Sequence, residues 1–211
     1  EKAPVHITVN GQPMAASCLI LAVGHSARDT FRMLAEAGIP MESKPFSVGA
    51  RIEHRQSAID RGLYGKLAGH PALPPGEYQL SYRQGERGVY TFCMCPGGTV
   101  VPAASELYGV VTNGMSEYSR DGDNANAALV VSVGPEDSGV FAGVAFQEEL
   151  ERRAFQLTNG TYRGCGATVG AFLEGRKGLE LRSVTPTYAL GLEPVDFDRL
   201  YPPQVAAMMR L

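Results

Sequence analysis

The chain has 211 residues, of which 44% are hydrophobic and 19% charged, a composition typical of a globular protein. Its formal net charge of −3 at pH 7 argues against broad nucleic-acid binding, because proteins that follow a phosphate backbone usually carry a basic excess. No apolar run reaches the roughly 18 residues that a membrane span needs. We therefore expect neither nucleic acid nor membrane among its partners.

The first 23 residues predict two strands. Residues 3–10, APVHITVN, alternate between apolar and polar side chains and lead into a turn at Gly11-Gln12-Pro13. Residues 15–23, AASCLILAV, form a nearly unbroken apolar run. Such a run is typical of a strand that is covered on both faces, as in a parallel sheet.

A helix is expected after Gly24, which breaks the apolar run. Asp29 or Ser26 is expected to cap a helix over residues 30–37. Gly38 would end this helix. This part of the chain therefore predicts a strand, a tight glycine turn and a helix.

Beyond residue 45 the sequence predicts short, mainly antiparallel strands. The expected strands are residues 46–54, 77–83, 88–94, 99–103, 110–113 and 127–133. Gln84-Gly85-Glu86 is typical of a hairpin turn, and the Gly- and Pro-rich residues 62–76 predict a loop. Helices are expected over residues 141–158 and from Pro203 to the end of the chain. The predicted fold class is α+β.

The four cysteines are too few for a disulfide scaffold; they are Cys18, Cys93, Cys95 and Cys165. On a regular strand the C-x-C spacing would place the sulfurs of Cys93 and Cys95 on the same side. No second cysteine pair or nearby histidine completes a zinc site, so we expect no metal. An active dithiol and a packing role both remain open. The sequence shows no charged-then-apolar leader, which favours a reducing cytoplasm.

Polar residues follow the apolar run in LAVGHSARDTF, residues 21–31. Gly24 would bring bare backbone close to whatever lies at the carboxyl edge of the sheet, where open α/β sheets bind ligands. His25, Ser26 and Arg28 offer polar atoms there, and the helix N-terminus adds donors for an anion. The alternative is a plain strand-to-helix turn whose polar residues are solvated or cap the helix.

Two further segments could border a ligand. In TFCMCPGGTVVPAAS, residues 91–105, a Gly-Gly turn would let a flat ligand or another backbone approach closely. In TNGMSEYSRDGDNANAALVV, residues 112–131, polar side chains precede a buried strand; they include Arg120, Asp121, Asn124 and Asn126. This second segment could equally be an Asx-rich loop that satisfies its own backbone. It lacks the order of acidic residues that a calcium loop needs.

Three stretches together resemble one family. They are LAVGHSARDTFRMLAEAGIP, KPFSVGARIEHRQSAID, and the stretch from TFCMCPGGTVVPAASE to VVTNGMSEYSRDGDNANAALVVSV. In their residues and in their order along the chain, these motifs are similar to those of the bacterial, largely uncharacterised FAD-dependent dehydrogenases of the NAD(P)/FAD-dependent oxidoreductase class. The resemblance runs over most of the chain, from about residue 5.

The resemblance implies a Rossmann-like FAD-binding domain that is split by an inserted substrate or cap domain. Residues 1–40 would be a strand-turn-helix part of the FAD-binding domain, and residues 41–211 would be the inserted domain that covers the isoalloxazine. The glycine fingerprint that holds the FAD diphosphate in such proteins is not in this sequence. We therefore expect an internal piece of a longer flavoprotein, inactive by itself and unable to hold FAD tightly.

The resemblance also suggests which residues act. The expected cofactor-binding residues are Gly24, His25, Ser26, Arg28, Gly97, Gly98, Asn124 and Asn126. The candidates for catalysis are Arg120, Asp121, Cys93 and Cys95. Arg120 would pair with a substrate carboxylate or a cofactor phosphate, and the two asparagines would hydrogen-bond the flavin edge or the substrate.

The expected partners are a small-molecule substrate and the remainder of the FAD-binding domain. A cut through that domain would leave apolar surface bare, through which the piece could self-associate. One alternative is a non-catalytic binding or interaction module, in which the C-x-C pair and the Asn-rich loop are purely structural. A stand-alone thiol redox protein is another alternative, which would require Cys93 or Cys95 to react quickly at neutral pH.

Overall fold

The computed structural model of the protein describes residues 4–134 and 139–211. The chain divides into two compact units, residues 1–41 and residues 42–211. Within the described ranges, every helix is too short or too polar to cross a bilayer. The assignment of the two units to a cofactor domain and an inserted domain stays a prediction.

The first unit begins with a β-hairpin. Strands β1 (Val5–Val9) and β2 (Gln12–Ala16) pair antiparallel. Asn10 and Gly11 connect them with φ angles of 51° and 78°, the left-handed pair that a two-residue hairpin turn requires. The first predicted strand is confirmed, except that residue 3 lies outside the described residues. The turn lies at Asn10 and Gly11, and Gln12 and Pro13, which were expected in the turn, begin β2.

The predicted buried strand over residues 15–23 is wrong. Strand β2 ends at Ala16, and residues 17–23 form no regular strand. Their apolar side chains are exposed, Ile20 to 83% of its surface. An apolar run becomes a buried strand only where neighbouring strands pair with it, and within the described part of the chain none does.

Helix α1 (Arg28–Glu36) follows. The prediction for its N-terminal cap is wrong, and the prediction for its C-terminal end is confirmed. At its start, neither predicted side chain caps the helix, because the Asp29 carboxylate instead accepts a bond from the neighbouring Thr30 amide at 2.8 Å. At its end, Gly38 has a φ of 76° and donates to the Ala35 carbonyl, as predicted for a helix-ending glycine.

The second unit is built on a four-stranded antiparallel sheet in the order β3-β8-β5-β4. Its elements are β3 (Phe46–Arg55), α2 (Gln56–Tyr64), β4 (Ser81–Gln84), β5 (Arg87–Cys95), β6 (Gly98–Pro102), β7 (Thr112–Ser116), β8 (Asn124–Val133), α3 (Ala142–Leu157), β9 (Gly164–Gly166), α4 (Val169–Leu173), β10 (Leu192–Pro194) and α5 (Pro203–Met209). Strands β6 and β7 form a separate hairpin, and β9 pairs with β10 in parallel. The predicted α+β class with mainly antiparallel strands is confirmed.

The hydrophobic core of this unit lies on one face of the sheet. Val131 of β8 and Val89 of β5 face helix α5, whose Val205 is buried with them. Ala154 of α3 joins the same cluster. Because side chains alternate along a strand, every second residue of β3 and β8 points to the opposite face.

Several predicted boundaries were misplaced. The strand predicted over residues 110–113 is β7, Thr112–Ser116, and the strand predicted over residues 127–133 begins at Asn124. The loop predicted to begin at residue 62 begins after α2, which extends to Tyr64. Strand β4 begins at Ser81 rather than at residue 77, because the Leu80 amide does not bond to the backbone of the neighbouring strand. The Leu80 amide donates to the Thr91 hydroxyl at 2.8 Å, so a side chain replaces one backbone bond of the strand pair.

Candidate functional site

The face of the sheet opposite the core carries charged and amide side chains at one end. Arg51, Glu53 and Arg55 alternate along β3 and therefore share this face. In the register of the sheet, Glu53 lies opposite Asn126 and Arg55 lies opposite Asn124. We call this face the polar face of the sheet.

Arg51 stands at the centre of the polar face. Its Nη1 donates to the Asn126 amide oxygen at 3.0 Å and to the Cys93 carbonyl at 2.8 Å. Its Nη2 donates to the Asn113 amide oxygen at 3.0 Å. These three acceptors are neutral, so the bonds fix the guanidinium without cancelling its positive charge.

Asn126 is fully buried beneath this arrangement, with 0% of its surface exposed. Arg51 donates a hydrogen bond to the Asn126 side-chain oxygen. The Asn126 amide nitrogen Nδ2 has no hydrogen-bond partner among the described residues. A buried amide hydrogen without a partner costs on the order of 1–3 kcal/mol, so such groups are rare in folded proteins.

The hairpin of β6 and β7 covers half of the polar face. Gly114 of β7 lies so close that a Cβ there would stand 2.2 Å from the Asn126 side-chain oxygen and 2.5 Å from Arg51 Nη1. This proximity requires glycine. The segment around Thr187 covers the end of the face, because its amide and hydroxyl both donate to the Glu53 carboxylate.

The other half of the face is open. Phe92 of β5 and Arg51 of β3 both lie opposite Ala128 of the central strand, so the three form one row across the sheet. Phe92 is 63% exposed. Beside it, the Tyr90 hydroxyl and the Ser47 hydroxyl are 2.7 Å apart. An exposed aromatic ring therefore shares one row of the sheet with Arg51, with Ala128 between them.

The two cysteines of the C-x-C motif lie at the edge of this open surface, but not on a regular strand. The pairing of β5 with β8 shifts between Phe92 and Cys95, and Cys93 has a left-handed φ of 47°. Cys93 is exposed and Cys95 is buried. The Cys95 sulfur lies 3.5 Å from the Cys93 carbonyl oxygen. The regular alternation on which the prediction of two sulfurs on one side depended is therefore absent.

The Pro-Gly-Gly turn contacts the Asn-rich loop. Gly97 has a φ of 55°, and a Cβ there would lie 2.1 Å from the Arg120 carbonyl oxygen. The Gly122 amide donates to the Gly97 carbonyl at 3.2 Å. On its other side the Gly97 amide donates to the buried Gln56 side chain at 3.0 Å. A Cβ at Gly98 would lie 2.3 Å from the Met115 carbonyl oxygen, so both glycines are packed against protein backbone.

The predicted polar residues of the loop already bind neighbours within the chain. Arg120 forms a half-exposed ion pair with Glu77, at 2.6 Å. Asp121 accepts a hydrogen bond from the Ser119 hydroxyl at 2.6 Å. The two amide hydrogens of Asn124 are donated to the Glu53 carboxylate and to the Thr185 carbonyl.

The remaining predicted residues belong to the first unit. Gly24 has a φ of 79°, and among the described residues no atom lies within 4 Å of where its Cβ would be. The His25 ring nitrogen Nε2 and the Ser26 hydroxyl are 3.5 Å apart. Arg28, the first residue of α1, is only 5% exposed.

Sequence reasoning missed the residues that organise the polar face. They are Arg51, Glu53, Gln56, Asn113 and Thr187. A signal was present for the first two, since FSVGARIEH places charged residues at alternate positions of a strand. The others are brought in from distant parts of the chain. Among the residues that the structure describes, there is no group of three or more His, Cys, Asp or Glu side chains that could hold a metal ion.

The second unit is therefore an antiparallel sheet whose polar face is covered at one end and carries an exposed aromatic ring beside it. The family model described as FAD-dependent protein, C-terminal domain-like, matches residues 45–211, and the chain belongs to this family. An "Uncharacterized protein" of Clostridium beijerinckii (strain ATCC 51743 / NCIMB 8052) is 44% identical over 209 residues. That match covers 97% of this chain and 39% of the relative's length.

Proposed function

We propose that residues 41–211 form the cap domain of an FAD-dependent oxidoreductase, a dehydrogenase in which this domain covers the isoalloxazine ring and shapes the substrate pocket. Family membership supports a domain of an FAD-dependent protein. The single observation that carries the proposal is the open half of the polar face, where the exposed Phe92 ring leads to the guanidinium of Arg51.

The residues present fit the ring end of FAD. A flat tricyclic ring or a flat substrate can lie over an exposed aromatic side chain on a sheet face. Arg51 offers a positive charge at the border of that surface, suited to a substrate carboxylate or to negative charge that develops on the ring. When bound, the flavin would supply the two-electron redox chemistry.

The predicted cofactor residues of the first unit form a separate part of the proposal. Gly24 leaves open space at a left-handed backbone position, so a cofactor can approach the backbone of the first unit closely. In the proposal, His25, Ser26 and Arg28 border the cofactor there. The sequence holds no glycine fingerprint for the diphosphate itself, which is why we expect tight FAD binding to need the remainder of the cofactor domain.

The proposed anion site moves from Arg120 to Arg51. An anion reaches the Arg120 guanidinium only by displacing the Glu77 carboxylate, whereas Arg51 is held by neutral acceptors. Asn126 positions Arg51 from below and keeps its own amide hydrogens unpaired. Asn124 does not contact Arg51 through these bonds, because its amide hydrogens are donated to the Glu53 carboxylate and the Thr185 carbonyl. In the proposal it holds the residues that surround the site.

The proposed partner for the first unit is the rest of the FAD-binding domain. Residues 17–23 are apolar and exposed, and such a run is stable in a folded protein when neighbouring strands cover it. The cytoplasmic location expected from the sequence belongs to the same proposal.

The test uses the natural protein that carries this chain, purified and examined by absorption spectroscopy. We expect bound flavin, and a changed visible flavin spectrum in Phe92→Ala and in Arg51→Ala. Tyr118→Ala is the control, because this tyrosine is fully exposed on a loop of the same unit. A protein without flavin would favour a non-catalytic interaction module. Flavin with the same spectrum in all variants would remove the polar face from the site.

A further inference from the structure

We propose that Cys93 and Cys95 form a redox-active thiol pair, in which Cys93 reacts first with a low-molecular-weight disulfide and Cys95 then closes a Cys93–Cys95 disulfide. This inference does not depend on the flavin, because the exchange needs only the two thiols and the incoming disulfide. It concerns the same edge of the open surface.

The backbone between the two residues departs from a regular strand. Adjacent same-side residues of a regular strand are separated by about 6.6 Å between Cα atoms, near the upper limit for a disulfide. Here the strand is interrupted between Phe92 and Cys95, and Cys93 adopts a left-handed φ of 47°. A bulge bends the chain locally, and strained backbone of this kind is concentrated at functional sites.

The two thiols differ in access, as attacking and resolving cysteines do. Cys93 is exposed, so an external disulfide can reach it. Cys95 is buried, and its sulfur lies 3.5 Å from the Cys93 carbonyl oxygen. Burial raises the pKa of the Cys95 thiol and so favours its protonated form.

Arg51 places a positive charge beside the Cys95 sulfur. Its Nη1 holds the Cys93 carbonyl at 2.8 Å and lies 3.9 Å from the Cys95 sulfur. This charge favours the Cys95 thiolate at the moment of its attack and opposes the effect of burial on its pKa.

The reaction balances in two exchange steps. The Cys93 thiolate attacks one sulfur of the external disulfide, forms a mixed disulfide and releases one thiolate. The Cys95 sulfur then attacks the Cys93 sulfur, breaks the mixed disulfide and releases the second thiolate. The two released thiolates take up the protons that the cysteines lose. Two protein thiols are oxidised, and one external disulfide is reduced to two thiols.

The test titrates the natural protein with mixtures of oxidised and reduced glutathione, followed by acid quenching and alkylation with iodoacetamide. Trypsin cleaves after Arg87 and Arg120, and Cys93 and Cys95 are the cysteines between these sites. We expect the peptide of residues 88–120 to lose two hydrogens and to escape alkylation at the oxidising end. Dithiothreitol should reverse both changes.

Single substitutions separate the two roles. Cys95→Ser should accumulate glutathione on Cys93, and Cys93→Ser should leave Cys95 reduced and alkylated only after unfolding. Cys165→Ser serves as the control and should behave as wild type. Circular dichroism confirms that each variant is folded. Alkylation of both cysteines across the whole titration, or a folded Cys95→Ser variant without adduct, would overturn the proposal. Flavin content does not enter this readout, so its failure is distinguishable from failure of the proposed function.

Discussion

At the scale of single residues, the position of Arg51 depends on a glycine that leaves it room. Gly114 has no φ requirement of its own, but its missing side chain lets β7 approach the polar face. The Arg51 guanidinium and the Asn126 amide occupy the space that a Cβ would need. A steric requirement of this kind is not visible in sequence, because Asn113-Gly114 also has the composition of a turn.

We predict that Gly114→Ala destabilises the protein by about 1–3 kcal/mol, because the added methyl overlaps Arg51 and Asn126. The measurement is the free energy of unfolding in denaturant. Gly62→Ala is the matched control, since Gly62 lies within α2 and no described atom is within 4 Å of its added Cβ. The control should be stabilising by about 0.5–1 kcal/mol. An equal effect of the two substitutions would contradict the packing described for Gly114.

Cys165 gives a prediction about alkaline stability. Burial raises the pKa of its thiol from 9.0 to about 12 in the folded protein. The unfolded chain therefore loses this proton first as the pH rises, and the thiol's contribution to stability is present below pH 9 and lost between pH 9 and 12.

The free energy of unfolding of Cys165→Ser should accordingly fall less between pH 9 and pH 12 than that of wild type, because serine does not ionise in this range. Cys18→Ser, which replaces an exposed thiol, should keep the wild-type slope. Parallel slopes for wild type and Cys165→Ser would show that this thiol does not titrate differently in the folded state.

At the scale of elements, a buried glutamine joins helix α2 to the turn between β5 and β6. The Gln56 oxygen accepts from the Gly97 amide, and its nitrogen donates to the Asp60 carboxylate and the Gly76 carbonyl. One side chain thereby fixes three segments that are far apart in sequence.

Gln56→Ala should destabilise the protein by about 1–3 kcal/mol, because it leaves buried backbone groups at Gly97 and Gly76 without partners. The free energy of unfolding measures the loss. Gln204→Ala is the control, because Gln204 is exposed on α5. If both variants were equally stable, water would be satisfying the groups that Gln56 now holds.

Periodicity predicted the elements that bury one face. Strands β3 and β5 and helix α3 were placed to within a residue or two, since alternation or a helical stripe records which side chains meet the core. Helix α2 was not predicted, because Gly62 and the following Gly65 weaken the helical pattern, and contacts such as those of Gln56 are not visible in the sequence.

At the scale of the whole molecule, the exposed apolar run after β2 should govern solution behaviour. The self-association expected from the sequence would use this run, whose exposed members include Leu19, Ile20, Leu21 and Val23. We predict that Ile20→Lys shifts the 211-residue chain toward the monomer in sedimentation velocity. Leu107→Lys changes an exposed leucine outside this run and should leave the distribution of monomer and larger species unchanged. A monomeric wild type would show that the run does not associate in this chain.

The sequence by itself determined the α+β class, most of the antiparallel strands and the family. These depend on local periodicity and on contiguous sequence motifs. The tertiary structure decided which residues meet. It placed Arg51 between Cys93, Asn113 and Asn126, and it paired Arg120 with Glu77. Hydrogen bonds and close packing between distant segments leave no periodic pattern in a sequence. An apolar run such as residues 17–23 forms a strand only where a neighbouring strand pairs with it, and among the described residues none does.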